Sequence, residues 1–262
     1  MNKEPILQVR DVTKAFGGIL ALNRVSFDLY EGDILGIIGP NGSGKTTLVN
    51  SITGFIKLTS GKVMFRGKDI TGRPAHKIAD MGITRTFQIM RPYYSMLAYK
   101  NLVIPLFSPR AKRTGGWRGG GKLGDRDTVS IDILEEIGFE RDSYVPYKLA
   151  STLPTGYLKR LELARCLALK PEMILCDEVF SGLSMSEIAS MIPLIERLQM
   201  SGITLIMIEH RLRELFKVAN RVMVLNFGEK LIEGLPEEVI ADARVKEAYF
   251  GSEEAKEVMD HA

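Results

Sequence analysis

The sequence predicts an α/β fold in which helices cover both faces of a mostly parallel sheet. Short apolar runs typical of buried strands recur along the chain, as at Ile34–Ile38 and Met173–Cys176. In the last third, segments with helical periodicity separate such runs. The chain has 262 residues, 45% of them hydrophobic and 26% charged, which suffices to bury the core of one large domain.

The N-terminal part is predicted to consist of strands and tight turns. Residues typical of strands fill Ile6–Val12, Arg24–Leu29 and Lys62–Phe65. The apolar run Ile34–Ile38 looks like a buried central strand, and the glycine-rich loop after it leads into a helix expected to begin near Thr46.

The middle of the chain is predicted to be helical around a polar insertion. Leu97–Leu106 and Thr128–Ile137 are expected to form helices. Between them, Ser108–Arg126 holds six basic residues, one acid and six glycines, so this segment is +5 within a chain of net charge +3. We expect a mobile, solvated loop. This loop includes Trp117. Whether it contacts acidic lipid headgroups, a protein partner or nucleic acid stays an open question.

The last third is predicted to alternate helices with buried strands. Tyr157–Lys170 has apolar residues on one face of a helix, and Ser184 with Glu187 forms a capping-box pattern that opens a helix to about Ser201. Apolar strands are predicted at Met173–Cys176, Ile203–Ile208 and Val222–Leu225.

Several classes of protein are excluded by the composition. No apolar run approaches the roughly 18–20 residues that cross a bilayer, and the N-terminus lacks the apolar core of a signal peptide. Cys166 and Cys176 form no CxxC pair, which disfavours a metal or redox motif and fits a reducing compartment. We therefore expect the protein to stay in the cytosol.

A phosphate-binding loop is predicted between Gly39 and Thr46, which match the pattern G-x-x-x-x-G-K-[ST] between a buried strand and a helix. Its glycines let backbone N–H groups wrap phosphates, and the helix N-terminus adds positive potential. Lys45 is predicted to reach the β- and γ-phosphates and Thr46 to ligate Mg²⁺. The nucleotide-binding residues predicted here are Gly39, Pro40, Asn41, Gly42, Ser43, Gly44, Lys45, Thr46 and Thr47.

Two acids follow the buried strand Met173–Cys176, at the strand end where open α/β sheets bind ligands. Asp177 is predicted to hold Mg²⁺ through water. Glu178 is predicted to polarise the water that attacks the phosphate. The residues alone therefore indicate a magnesium-dependent phosphohydrolase.

The order of the remaining motifs makes the chain resemble the ATP-binding-cassette (ABC) ATPases over nearly its whole length. Gln88 is similar to that family's Q-loop glutamine, which implies contact with Mg²⁺ and the attacking water. His210, which follows an apolar strand, resembles the switch histidine at the γ-phosphate. Phe16 resembles the aromatic residue that stacks on adenine.

The resemblance implies a P-loop NTPase (RecA-like) core with an N-terminal antiparallel β region and an inserted helical subdomain. In this single domain, 1–262, residues 1–90 and 168–240 are expected to form the catalytic core. Residues 91–167 are expected to form the helical subdomain with the flexible loop 108–126, and residues 241–262 a C-terminal helical tail.

Within the family, the chain is most similar to the ATPases of branched-chain amino-acid importers, in Phe16–Gly18 with Ala21–Leu22, Ile52–Phe55, Gly82–Gln88 and Val245–Gly251. This implies ATP and Mg²⁺ as cofactors, and transmembrane permease subunits and a second cassette as partners. No nucleic-acid partner is implied, and the position would be peripheral, on the cytoplasmic face of the inner membrane. ATPases for urea uptake or lipopolysaccharide extraction share part of the pattern, and a soluble non-transport or regulatory cassette is a further alternative.

The stretch Leu153–Tyr157 departs from the family's usual signature, Leu-Ser-Gly-Gly-Gln, which faces the nucleotide of the partner cassette. Pro154 removes the serine hydroxyl and a backbone N–H, whereas Thr155 and Gly156 keep a hydroxyl and a close approach. We expect Thr155 and Gly156 to contact the partner's nucleotide. We hypothesise a pair with a different cassette, in which the site that uses this signature is weakened. The alternative, that Thr155 and Gly156 suffice, stays open.

Overall fold

The computed structural model of the chain describes residues 4–114 and 126–249. The strands are β1 (Leu7–Phe16), β2 (Ile19–Leu29), β3 (Ile34–Ile38), β4 (Ser60–Phe65), β5 (Lys68–Asp69), β6 (Ile83–Arg85), β7 (Met173–Asp177), β8 (Thr204–Ile208), β9 (Arg221–Asn226) and β10 (Glu229–Gly234). The helices are α1 (Lys45–Ile52), α2 (Ala75–Met81), α3 (Lys100–Leu106), α4 (Pro109–Arg113), α5 (Arg126–Glu136), α6 (Thr155–Leu167), α7 (Met185–Met200), α8 (Leu212–Val218), α9 (Pro236–Ala241) and α10 (Ala243–Ala248).

Two sheets form the framework. The first has the order β2-β1-β4-β5 and is antiparallel throughout, which confirms the expected N-terminal β region. The second has the order β10-β9-β3-β8-β7-β6; its strands pair in parallel except for the antiparallel edge pair β9–β10. This mostly parallel sheet confirms the predicted fold class.

The alternating side chains of the parallel sheet divide the interior into two cores. On β7, Met173 and Leu175 join the core shared with α1 and the antiparallel sheet. Ile174 and Cys176 point to the opposite face and join the core shared with α5, α6 and α7. Because both faces are covered, the inner strands β3, β7 and β8 are mainly apolar, which is why they could be predicted from the sequence.

The predicted helical subdomain is present between β6 and β7, where α3, α5 and α6 pack against one another. Two short 3-10 helices, Val145–Tyr147 and Ala150–Thr152, lead into α6. Helix α6 begins two residues earlier than predicted, because Pro154 caps its N-terminus with extended backbone. Helix α7 carries the predicted capping box of Ser184 and Glu187.

The prediction of a mobile loop over residues 108–126 is wrong at both ends. Residues 109–113 form α4, and α5 already begins at Arg126. Arg110 is 9% exposed, and its guanidinium donates to the carbonyl oxygens of Met81 and Lys170 and to the carboxylate of Glu172. Residues 115–125, with Trp117, lie outside the described residues, as does the tail beyond residue 249.

In the described ranges 4–114 and 126–249, none of the helices combines the length and the apolar character that crossing a bilayer requires.

Candidate active site

The loops that carry the predicted site residues leave one edge of the parallel sheet. The phosphate loop follows β3, and Glu178 directly follows β7. Gln88 lies three residues beyond β6 and His210 two residues beyond β8. Since β3, β6, β7 and β8 belong to one parallel arrangement, their carboxyl ends meet at the same edge. The topology alone therefore brings these distant residues together.

A cavity of about 290 Å³ lies at this edge of the sheet. The phosphate loop from Asn41 to Thr47 forms one wall. Gln88, Glu178 and His210 form another, and Ala21 of β2 completes the lining. Acidic, amide and imidazole side chains thus face a loop of backbone N–H groups, which is an arrangement suited to a phosphorylated ligand.

The phosphate loop has the conformation that its glycines predict. Gly44 caps α1 with φ +104°, in the left-handed region that favours glycine. A Cβ atom there would lie 2.6 Å from the carbonyl oxygen of Ala21, so no side chain fits. At Gly44 the loop therefore packs directly against the backbone of β2.

Lys45 lies in the floor of the loop and is 7% exposed. Its Nζ donates to the carbonyl oxygens of Gly39 and Pro40 at 2.7 and 3.1 Å. Burial lowers the pKa of Lys45, while the charges of Glu178 and Asp177 act in the opposite direction. Nearby, the hydroxyl of Ser43 is buried with no hydrogen-bond partner among the described residues, so a ligand oxygen would satisfy it.

Both carboxylate oxygens of Glu178 are held by side chains predicted to share its site. Gln88 Nε2 donates to Oε2 at 2.9 Å, and His210 Nε2 lies 3.1 Å from Oε1. The carboxylate is thereby oriented at the cavity wall, within reach of a water molecule on its open side.

The backbone of Glu178 is strained, with φ +53° at a residue that is not glycine. Two hydrogen bonds hold it: the Glu178 N–H donates to the carbonyl oxygen of Ile208 at 2.9 Å, and Lys159 Nζ donates to the carbonyl oxygen of Glu178 at 2.7 Å. Lys159 belongs to α6, so the helix that begins at Thr155 also supports the acid of its own chain.

Lys159 was not predicted as a site residue, because its position in an amphipathic helix indicated a solvated side chain. The structure leaves it 5% exposed. Burial lowers the pKa of Lys159, opposed mainly by the charge of Glu209. Glu209 was missed too: it is 2% exposed, accepts the Phe180 N–H at 3.0 Å, and burial raises its pKa to about 8. Its position beside His210 was the only available signal.

Asp177 ends β7 next to Glu178; it does not itself line the cavity, and it is paired with Arg85. Arg85 Nη2 is 2.9 Å from Asp177 Oδ2, and the two side chains are 7% and 4% exposed. Burial raises the pKa of Asp177, and the charge of Arg85 opposes this shift. Arg85 could be recognised in the sequence only as part of the stretch Gly82–Gln88, because nothing there indicates its partner.

Five of the predicted nucleotide-binding residues do not line this cavity: Gly39 and Pro40, whose carbonyl oxygens bind Lys45 next to it, and Phe16, Thr155 and Gly156. Phe16 ends β1, is 47% exposed, and has Lys14 Nζ 4.7 Å from its ring centroid. Thr155 and Gly156 begin α6. A Cβ atom on Gly156 would lie 2.5 Å from Glu187 Oε1, so a larger residue there would displace the Glu187 side chain. The placement of Thr155 and Gly156 outside the cavity is compatible with contact to a second chain.

The residues present fit a nucleotide with Mg²⁺. Among the described residues, no group of three or more His, Cys, Asp or Glu side chains is arranged to hold a metal ion. Mg²⁺ commonly takes one or two protein oxygens and completes its shell with phosphate and water. Thr46 lines the cavity and is exposed, and Asp177 offers a carboxylate at the end of β7, next to Glu178.

The fold and the cavity define a phosphate-loop nucleoside triphosphatase. The sequence profile of the ABC transporter family matches residues 22–181, and the profile of the branched-chain amino acid ATP-binding cassette transporter matches residues 229–255. The chain belongs to the ABC transporter family, as one of its ATP-hydrolysing cassettes.

Relatives and solved structures agree with this assignment. The high-affinity branched-chain amino acid transport ATP-binding protein LivG of Escherichia coli is 35% identical over 257 residues, which cover 95% of this chain and 98% of LivG. A probable LivG of Archaeoglobus fulgidus is 34% identical, with 96% and 97% covered. An ATP-binding cassette of an ABC transporter in its ADP conformation superimposes with a TM-score of 0.82 at 33% identity, covering 95% of this chain and all of the other.

Proposed function

We propose that this chain hydrolyses ATP to power the import of branched-chain amino acids through separate membrane subunits. The convergence of Lys45, Gln88, Glu178 and His210 on one cavity carries the proposal of ATP hydrolysis. The names of the LivG relatives support the substrate class. The chain would act at the cytoplasmic face of the inner membrane as a peripheral subunit.

The phosphate loop binds the triphosphate in this proposal. Lys45 exchanges its bonds to the carbonyl oxygens of Gly39 and Pro40 for the β- and γ-phosphates. Ser43 and the backbone N–H groups up to Thr47 satisfy further phosphate oxygens. Phe16 stacks on the adenine ring from the end of β1, which requires its exposed ring to approach the cavity.

Thr46, Gln88 and Asp177 would hold Mg²⁺, which would supply charge that stabilises the transferring phosphoryl group. Glu178 accepts a proton from the attacking water as general base. Gln88 and His210 orient the carboxylate of Glu178, and His210 contacts the γ-phosphate once the triphosphate is in place.

A second cassette completes the site from outside. The start of α6, with Thr155 and Gly156, faces the γ-phosphate bound by the partner chain, where the helix N-terminus favours negative charge. We favour a different cassette as the partner, because Pro154 replaces a polar cap and provides no side-chain hydrogen bond to α6.

A groove of about 360 Å³ beside the Q-loop is the proposed docking site for the membrane subunit. We name it the aromatic groove; its walls include Phe55, Phe87, Arg91, Tyr93 and Ile104. Phe55 is 53% exposed, Tyr93 40% and Ile104 45%. An apolar helix end of the membrane subunit would cover these side chains, as in other helix-in-groove contacts.

Uptake by proteoliposomes that contain the cassette with its membrane subunits tests the proposal. With ATP on the cassette side, labelled leucine should accumulate, and isoleucine and valine should compete where urea does not. Glu178→Gln should abolish the accumulation, whereas Glu196→Gln, an exposed position on α7, should leave it intact. Accumulation that persists in Glu178→Gln, or that is absent with every branched-chain amino acid, would overturn the proposal.

A further inference from the structure

Arg85 connects the aromatic groove to the acid that is proposed to hold Mg²⁺. It is the last residue of β6 and lines the groove, yet its side chain is only 7% exposed. Its guanidinium is planar and charged, with donors pointing in fixed directions. One end of this rigid group cannot move without the other.

Towards the nucleotide site, Arg85 binds both Asp177 and the helix of the phosphate loop. Nη2 donates to Asp177 Oδ2 at 2.9 Å. Nη1 donates to Asn50 Oδ1 of α1 at 2.5 Å and lies 3.4 Å from Thr53 Oγ1. Next to it, the Thr86 hydroxyl accepts the backbone N–H of Asp177 at 3.1 Å. The carboxylate of Asp177 therefore has its position set by β6.

Towards the groove, the same guanidinium packs on two aromatic rings. Its carbon lies 4.6 Å from the Phe87 ring centroid and 5.4 Å from that of Phe55. The two rings meet edge to face at 5.6 Å. Both rings line the groove. A helix seated there would press on them and reach Arg85 through one layer of side chains.

We propose that Arg85 is a positioning residue that couples occupancy of the aromatic groove to the position of the Asp177 carboxylate, and thereby to the rate of ATP hydrolysis. The inference rests on the proposed function in one respect, that a membrane subunit occupies the groove. The coupling needs two arrangements of Arg85, with the groove filled and empty, that hold Asp177 differently.

Arg85→Lys tests the coupling. Lysine keeps a positive charge beside Asp177, but a single ammonium cannot bind Asp177 and Asn50 together while stacking on Phe87. The test compares the ATPase rate of the cassette assembled with its membrane subunits with the rate of the cassette alone. The ratio of the assembled rate to the isolated rate should fall about tenfold in Arg85→Lys, within the usual range of coupling between sites. Arg113→Lys, an exposed arginine paired with Asp80, is the matched control and should keep the ratio.

A second readout does not depend on turnover. In a Glu178→Gln background, the Mg²⁺ concentration that gives half-maximal binding of a fluorescent ATP analogue should shift when the membrane subunits are added. Arg85→Lys should remove that shift while the membrane subunits still co-purify with the cassette. Should Arg85→Lys fail to fold, Phe87→Leu replaces it, because it keeps the ion pair and removes the closer ring.

The outcomes separate the two proposals. If the membrane subunits neither bind nor stimulate the unmodified cassette, the proposed function fails and the coupling falls with it. If the membrane subunits stimulate the unmodified cassette, the variants test the coupling alone. The coupling is overturned if Arg85→Lys or Phe87→Leu shows the same ratio of ATPase rates and the same Mg²⁺ shift as the unmodified cassette.

Discussion

Three neighbouring side chains and a strained backbone fix the orientation of the Glu178 carboxylate. Gln88 and His210 bind its oxygens, and Lys159 binds its carbonyl oxygen. Strain of this kind persists only where the surroundings fix the residue, and it is common at active sites. These contacts organise the site around this acid.

Glu178→Gln should leave ATP binding intact and lower the ATPase rate by a factor of about 100 to 10,000, because an amide cannot accept the proton of the attacking water. Gln88 can still hydrogen-bond to the new side chain, so the loop should keep its shape. Phosphate release and binding of a fluorescent ATP analogue measure the two effects separately. A turnover rate near that of the unmodified chain would contradict the role of Glu178.

Site residues that belong to a recognisable sequence motif could be predicted. Site residues that act through hydrogen-bond partners distant in the sequence could not. Lys45, Gln88, Glu178 and His210 were each predicted, and the structure places all four at one cavity. Lys159 and Arg85 were missed because their partners lie 19 and 92 residues away in the sequence. For such residues, only the packing of α6 and β6 against β7 reveals the contact.

Among the elements, the strands were easier to predict than the polar helices. The central strands are buried on both faces, so their short apolar runs are sufficient to predict them as strands. Helix α4 was missed because its residues, Pro109–Arg113, have no apolar periodicity. The local signal for a helix start was Ser108 as the N-cap residue, followed by Pro109 at the first helical position.

Arg110→Met should lower the free energy of unfolding by about 2 kcal/mol, because it leaves buried carbonyl oxygens and Glu172 without this donor. Without the Arg110 guanidinium, α4 would lose the hydrogen bonds that join it to α2 and to the segment before β7. Urea unfolding at neutral pH measures it. Lys112→Met, at an exposed position on the same helix, should change the stability by less than about 0.5 kcal/mol. Equal effects of both changes would show that Arg110 does not anchor α4.

For the whole molecule, the cavity and the start of α6 lie apart, because neither Thr155 nor Gly156 lines the cavity. The sequence departs from the family pattern at the start of α6 and matches it at the cavity. Hydrogen bonds from the backbone N–H and the hydroxyl of Ser184 lower the pKa of Glu187, whose carboxylate lies beside Gly156 at the start of α6. A carboxylate thus already lies at the helix end that would face the partner's phosphate, which supports a weakened second site.

Changing Pro154→Ser together with Thr155→Gly should raise the ATPase rate of the assembled pair, because a capping hydroxyl and a backbone N–H return to the start of α6. The nucleotide affinity of the isolated chain should stay the same, since neither residue lines its cavity. An unchanged rate in the pair would indicate that Thr155 and Gly156 already suffice.

Phosphate release by the complete transporter in proteoliposomes, with and without a branched-chain amino acid on the uptake side, tests whether hydrolysis at this cavity drives transport. We expect the rate to rise with the amino acid and to be lost in Glu178→Gln. A rate that ignores the amino acid, or that survives in Glu178→Gln, would contradict the claim that ATP hydrolysis at this cavity drives the transport.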